Sequence, residues 1–434
     1  MNKILLLSTL FLFFVNCSLD TKSGFWTKTE KIKLENIKEK EIFKKTEIIE
    51  KEFNPNIKIS LKGNFKKDSF LNNLSNNNGN NNFKGSLKKI SKYKFKKIDQ
   101  FEFVQPDLLF TKNKNIIFFD NKGTILKFDQ KSKLLWKKNH YTKSERKLNP
   151  ILFFATDNKT LIVADSIAKY YALNISNGDK IWSKINPSPF NSQVKIHKGK
   201  FFVIDFDNVI RCFSIKNGKE LWSFRTERSF IKSQQKLSLI VNKNKVIFIN
   251  TLGDVSALNI DNGDLLWQTP TQSNAIYENA FSLKNSDLVL ENKSIYFSNN
   301  KNQFFALDEE TGAVKWKQKI NSHLRPTIID NLIFSVSKEG LLVVIDERSG
   351  NIIRITNVFE QLGHYKEDGI EPTGFILTRE KILLSMSNGR IIVINILDGK
   401  FKELIKLDND KISRPYVLDQ YLYVIKNNAI LKIN

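Results

Sequence analysis

Residues 302–316 read NQFFALDEETGAVKW. Phe304 and Ala306 alternate with Phe305 and Leu307, so both faces of this short segment are apolar, as in a strand covered on both sides. Asp308 follows at a position where its carboxylate can accept hydrogen bonds from nearby backbone N–H groups. Thr311-Gly312 then supplies the positive φ that a tight hairpin needs. The returning strand ends on Trp316, whose ring gains most by packing on a neighbouring unit. A lone two-stranded hairpin is marginal in water, so the segment calls for further strands and further copies of itself.

The copies are present. GTILKFDQKSKLLW (Gly123–Trp136), AKYYALNISNGDKIW (Ala168–Trp182), NVIRCFSIKNGKELW (Asn208–Trp222) and GDVSALNIDNGDLLW (Gly253–Trp267) precede it. GLLVVIDERSGNIIR (Gly340–Arg354) and GRIIVINILDGKFKE (Gly389–Glu403) follow and lack the tryptophan. Turn glycines Gly178, Gly218, Gly263, Gly312, Gly350 and Gly399 are spaced by 40, 45, 49, 38 and 49 residues. Short strands repeating at that period, with no helical pattern, are the signature of propeller blades. Trp136, Trp182, Trp222, Trp267 and Trp316 are accordingly assigned to packing between blades.

One blade is legible in full, with strands at 150–156, 160–164, 169–174 and 180–185. Seven copies carry a complete third strand, turn and fourth strand. An eighth set supplies strands at 415–418, 421–426 and 429–433 but no fourth. The segment KYKFKKI (Lys92–Ile98) stands just ahead of the first blade and can provide the missing edge strand. The expected fold is therefore all-β: an eight-bladed propeller of four-stranded antiparallel blades, closed by an N-terminal strand joining the last blade. Closure leaves no long open edge.

Ahead of the repeats, Lys3 and the apolar run Ile4–Val15 form a secretory signal too short to span a bilayer. It ends in Phe14-Val15-Asn16-Cys17, which resembles a bacterial lipobox and makes Cys17 the candidate lipidation site. An ordinary signal with an incidental cysteine is the alternative. Residues 1–16 are thus read as signal peptide, 17–91 as a lipidated and largely disordered Lys/Asn-rich tether, and 92–434 as the propeller. Trp26 stands alone in the tether and has no assigned role. The formal charge of +24 invites a nucleic-acid reading, but the lysines are spread along the chain rather than clustered, so no nucleic-acid partner is expected.

The DxxTGxxxW pattern, complete at Asp308–Trp316, resembles the PQQ-like repeat. Eight such blades behind a lipobox resemble the BamB family of outer-membrane protein assembly factors. That resemblance covers Lys92–Asn434 and implies a non-catalytic scaffold, lipid-anchored at the periplasmic face of the outer membrane. The implied partners are the POTRA domains of a BamA-like barrel protein, other barrel-assembly components and nascent outer-membrane proteins. In that family the contact uses an apolar-x-apolar-Arg element in the loop after a blade's tryptophan. Here the stretch after Trp222 reads Arg225-Thr226-Glu227-Arg228-Ser229-Phe230-Ile231-Lys232, which nominates Arg228, Phe230 and Lys232 but not in the family's order. An ordinary blade connection with a buried phenylalanine is the other reading of that loop.

The same repeat builds quinoprotein dehydrogenases, which hold the quinone with a vicinal disulfide. This chain has two cysteines, Cys17 and Cys212, far apart, and Cys212 sits where sibling strands place apolar residues. The four histidines are scattered, and no nucleophile triad or phosphate loop is present. No enzyme activity, cofactor or metal is expected; an exported scaffold for another envelope protein or glycan is the alternative function.

Overall fold

Each repeat forms an antiparallel four-stranded meander. In blade 2 the strands are Leu152–Thr156, Thr160–Asp165, Lys169–Asn174 and Lys180–Ile185, paired in that order. The first three are almost wholly buried and the fourth is mostly exposed, so burial falls from the hub of the ring to its rim. A computed structural model of the chain describes residues 51–67, 74–99, 101, 106–227, 235–272, 283–365 and 369–434. It contains eight such sheets, and the fold is the expected eight-bladed propeller. Blade 8 takes Tyr416–Leu418, Tyr421–Lys426 and Ala429–Ile433 from the C-terminal stretch and Lys89–Lys94 from ahead of blade 1. The closing strand runs antiparallel to Ala429–Ile433, with Tyr93 opposite Ile430.

The tryptophans do join blades, by a repeated contact. In five successive blades the indole N–H donates to a backbone carbonyl on the hairpin of the next blade. The pairs are Trp136 to Ile175, Trp182 to Ile215, Trp222 to Ile260, Trp267 to Glu309 and Trp316 to Glu347, all at 2.9–3.2 Å. Beneath each ring lies that hairpin's glycine. Gly312 has φ +73°, and a Cβ there would stand 2.4 Å from Trp267 Cε3. The glycine is therefore required by the neighbour as well as by the turn. A β-bulge beside each tryptophan pushes the preceding residue outward, which is why Leu135, Ile181, Leu221 and Leu266 are exposed.

Blade 6 has Arg354 at this position, opposite Val344 as Trp316 is opposite Ala306. Arg354 is fully buried and takes over the indole's task. Nη2 donates to Ile396 O at 3.0 Å, and Nη1 donates to Leu397 O at 2.8 Å and Ile57 O at 2.9 Å. At the ring closure the Tyr93 hydroxyl donates to Gln130 O at 3.0 Å.

Ile57 belongs to the segment expected to be a disordered tether, and the described part of that segment does something else. Ile59 and Leu61 are buried among residues of blades 6 and 7. Phe83 and Leu87 are buried between blades 7 and 8. Between these two wedges, Asn76–Asn78, Asn80 and Asn81 are buried, and the backbone of Asn81 bonds to Leu377 O at 2.8 Å. The reason is polar: in a run of buried backbone, an amide side chain both donates and accepts, so it can meet strand edges that an apolar side chain would strand. The expected propeller boundary at Lys92 therefore lies inside the folded unit, and the closing strand begins at Lys89.

Candidate functional site

A four-stranded antiparallel meander enters and leaves on one face, so all blade-to-blade connections gather on the same face of the ring. The nominated loop after Trp222 is one of them. Arg228, Phe230 and Lys232 lie outside the described residues, as do Cys17 and Trp26. The loop's described base is firm: Thr226 is buried and bonds through both N and Oγ to Asn208 O at 3.1 and 3.2 Å. On the same face Leu148, in the connection to blade 2, is 62% exposed, and Ile185, ending blade 2, is 77% exposed. These two apolar side chains flank blade 2, one blade ahead of the blade that carries the nominated loop.

The hub itself carries a feature that single segments of sequence do not reveal. Strand register places Asp107, Phe153, Gln193, Ser238, Asp287, Arg325, Gly374 and Arg414 at one equivalent position, two residues before the inner-strand residue aligned across the sheet with the tryptophan row. Six of the eight are polar, and the ring brings them together. Arg414 Nη2 donates to Asp107 Oδ1 at 2.6 Å and Nη1 to Asp287 Oδ2 at 2.8 Å. Gln193 Nε2 donates to Asp287 Oδ1 at 3.0 Å, and the Tyr416 hydroxyl donates to Asp107 Oδ1 at 3.2 Å. Lys236 pairs with Asp107 from the adjoining connection. Gly374 leaves the room: a Cβ there would stand 2.3 Å from Arg414 Cβ.

Asn76 of the N-terminal segment completes the cluster. Its Nδ2 donates to Gln193 Oε1, Ser238 Oγ, Leu239 O and Leu288 O at 3.0–3.2 Å, and its Oδ1 accepts from Lys195 Nζ at 2.5 Å. Burial pushes the carboxyls of Asp107 and Asp287 up, but Lys236 and Arg414 outweigh it and hold both below the usual carboxylate range. Burial pulls Lys195 down to about 7. Burial, then Arg414, pulls Arg325 down to about 10. The signal for this cluster lay in the sequence, but only as a polar residue at one position in six of the eight repeats, legible once the repeats are aligned by strand register.

Cys212 is fully buried and burial pushes its thiol up to about 12, so it is a small core residue rather than a nucleophile. Asp308 and Asp346 cap their own turns, accepting from Thr311 N at 3.0 Å and Ser349 N at 2.8 Å. Among the described residues, no group of three or more His, Cys, Asp or Glu is placed to hold a metal ion.

Residues 121–356 match the family described as "Outer membrane protein assembly factor BamB". A relative bearing that same name, from Moranella endobia (strain PCIT), is 21% identical over 242 residues, which is 55% of this chain and 60% of the relative. A second, from Legionella pneumophila (strain Paris), is 24% identical over 117 residues, covering 26% of this chain and 28% of its own length. This chain thus spans less than two thirds of either. Among solved structures, BamB from Moraxella catarrhalis superposes with a TM-score of 0.63 at 15% identity, over 80% of this chain and 100% of that one. A quinohemoprotein alcohol dehydrogenase from Comamonas testosteroni reaches 0.62 at 10% identity, over 86% and 78%. At such identities both likenesses speak for the fold alone.

Proposed function

We propose, for a chain that belongs to the BamB family of outer membrane protein assembly factors, that the propeller is a non-catalytic scaffold in the assembly of outer-membrane β-barrels. The family match over residues 121–356 carries this reading. An accessory role in that assembly is the general function; the finer points are as follows. Cys17, closing the lipobox Phe14–Cys17, is acylated and anchors the chain at the periplasmic face of the outer membrane. The face of the blade-to-blade connections docks on the POTRA region of a BamA-like barrel protein. Arg228, Phe230 and Lys232, in the connection after blade 3, supply the contact together with the exposed Leu148 and Ile185 of the connections around blade 2. The pairing of apolar anchors with basic neighbours suits a partner that presents a hydrophobic patch rimmed by carboxylates.

The test is a mild-detergent pull-down of the tagged chain from its own envelope, read by mass spectrometry. Recovery of a POTRA-containing barrel protein, lost on Phe230→Ala with Ile185→Asp, is the expected result. Recovery of other envelope proteins without it moves the function to a general envelope scaffold. Cys17→Ser releases the chain from the membrane fraction if the anchor is as proposed.

A further inference from the structure

One stretch breaks the even spread of lysine. Seven of the fourteen residues from Lys84 to Lys97 are lysines, all seven are exposed, and no Asp or Glu stands between residues 69 and 98. The fold gathers them on one blade. Lys89–Lys94 is the outermost strand of blade 8, the backbone of Lys88 bonds to Asn434, and Phe95 and Ile98 bond to the turn at 427–428. Lys89, Lys92 and Lys94 line an open cleft of about 500 Å³ towards blade 7, over a floor of Phe95, Leu407 and Leu431. The carboxylate in that cleft, Asp408, is taken up by Lys426. On the adjoining edge of blade 7, Glu403 and Asp410 are outnumbered by Lys400, Lys402 and Lys406. Blade 4, diametrically across the ring, is the reverse: no Lys or Arg occurs from 246 to 283, and its outer hairpin exposes Asp261 and Asp264. A lysine-rich composition alone would load both blades alike.

We propose that this edge of blade 8 docks on the anionic phospholipid headgroups of a bilayer, so that the ring stands on its rim with blade 4 pointing away. The charge between residues 84 and 98 is carried by lysine alone. An ammonium is a point charge without the rigid fork by which arginine recognises one shaped carboxylate partner, and it suits a fluid array of phosphates. Ile90, within the same strand, is 52% exposed, an apolar side chain among lysines whose methylene stems can enter the same interfacial layer. Phe83, Tyr93 and Phe95 are buried, so the patch offers no ring on which a nucleic-acid base could stack. Standing on blade 8 turns the face of the blade-to-blade connections sideways and leaves it open to a protein. The inference rests neither on that protein nor on acylation of Cys17.

The experiment is co-sedimentation with vesicles of the chain from Ser18 onward, which keeps every described residue and carries no acyl chain or signal run. Binding to vesicles of phosphatidylglycerol mixed equally with phosphatidylcholine, weakening as salt rises, and none to phosphatidylcholine alone, is the expected result. Replacing Lys92, Lys94, Lys96 and Lys97 together by Gln lowers that binding by at least about tenfold. Replacing Lys180, Lys184, Lys216 and Lys219 by Gln, the same change of net charge on blades 2 and 3, leaves it nearly intact. Equal losses in the two variants overturn the proposal, because net charge alone would then explain binding. Equal binding to both kinds of vesicle, no binding to either, or tighter binding of a single-stranded oligonucleotide at the same salt also overturns it. If the blade 8 variant does not fold, hydrogen exchange of the unaltered chain on the mixed vesicles decides. Slowed exchange over 84–98 but not over 255–269 of blade 4 supports the docked edge, and equal or absent slowing overturns it.

Discussion

Five of the blade interfaces and the remaining three are sealed in different ways. From blade 1 through blade 6, each junction uses a tryptophan over the next blade's turn glycine, and every part of the device lies within the repeat. From blade 6 back to blade 1 the repeat loses its tryptophan, and Arg354 and residues outside the repeats take its place. Arg354 with Ile57, Ile59 and Leu61 closes the 6–7 junction. Phe83 and Leu87 fill the 7–8 junction, and Tyr93 stitches 8 to 1. The 7–8 junction explains itself: in blade 8 the third and fourth strands, Ala429–Ile433 and Lys89–Lys94, are not joined by a hairpin, so no turn glycine awaits a ring. A repeat protein normally relies on nearest-neighbour contacts. Here part of that stability has moved to a segment distant in sequence.

This difference can be broken at either end. Trp267→Ala removes a buried indole from a repeat-sealed junction and should cost about 3–5 kcal/mol by denaturant unfolding. Arg354→Met leaves the carbonyls of Ile57 and Ile396 without their Arg354 donor, while Leu397 O keeps the Ile59 N–H, and should cost about 2–3 kcal/mol, since a buried acceptor left unpaired costs about 1–3 kcal/mol. Arg354→Trp should cost less than Arg354→Met, because an indole can still donate to Ile396 O as its five siblings do; equal losses would show that the position is not equivalent. Gly312→Ala places a Cβ at positive φ against Trp267 and should cost about 1–3 kcal/mol, an effect that shrinks in a Trp267→Ala background. Tyr93→Phe, losing one hydrogen bond at the closure, should cost about 1 kcal/mol.

The smallest effect is a pH dependence at the hub. Asn76, Asp107, Asp287, Arg325 and Lys236 surround Lys195, and its folded pKa of about 7 lies below the ordinary lysine value. Between pH 7 and the unfolded pKa the unfolded chain binds more protons than the folded one. Stability from this group therefore rises with pH across that window. Lys195→Met should flatten the slope of unfolding free energy against pH there, and an unchanged slope would assign it to other groups.

Much of the fold was legible because its signals are local and repeated. Turn glycine and tryptophan recur at a fixed offset, apolar runs bound each strand, and the orphan strand before blade 1 matches the gap in blade 8. The N-terminal segment was not legible because its anchors are single apolar residues, such as Ile59 and Phe83, separated by lysine and asparagine. By composition such a stretch reads as disordered. Its asparagines bind surfaces that exist only once the ring has closed. The hub was hidden for the same reason: Asp107 and Arg414 are 307 positions apart and meet only through closure. Arg354 showed only as a missing tryptophan. The nominated interface loop was read from resemblance alone, and Arg228, Phe230 and Lys232 stand as a proposal.

The most direct test of the two-way sealing is native-state hydrogen exchange on the full chain with Ile59, Leu61, Phe83 and Leu87 replaced by Ser. The account predicts that protection falls in blades 6, 7 and 8 while blades 2 to 5 keep theirs, because those four side chains pack only against the former. Uniform loss around the ring, or no loss in blades 6 to 8, would contradict it.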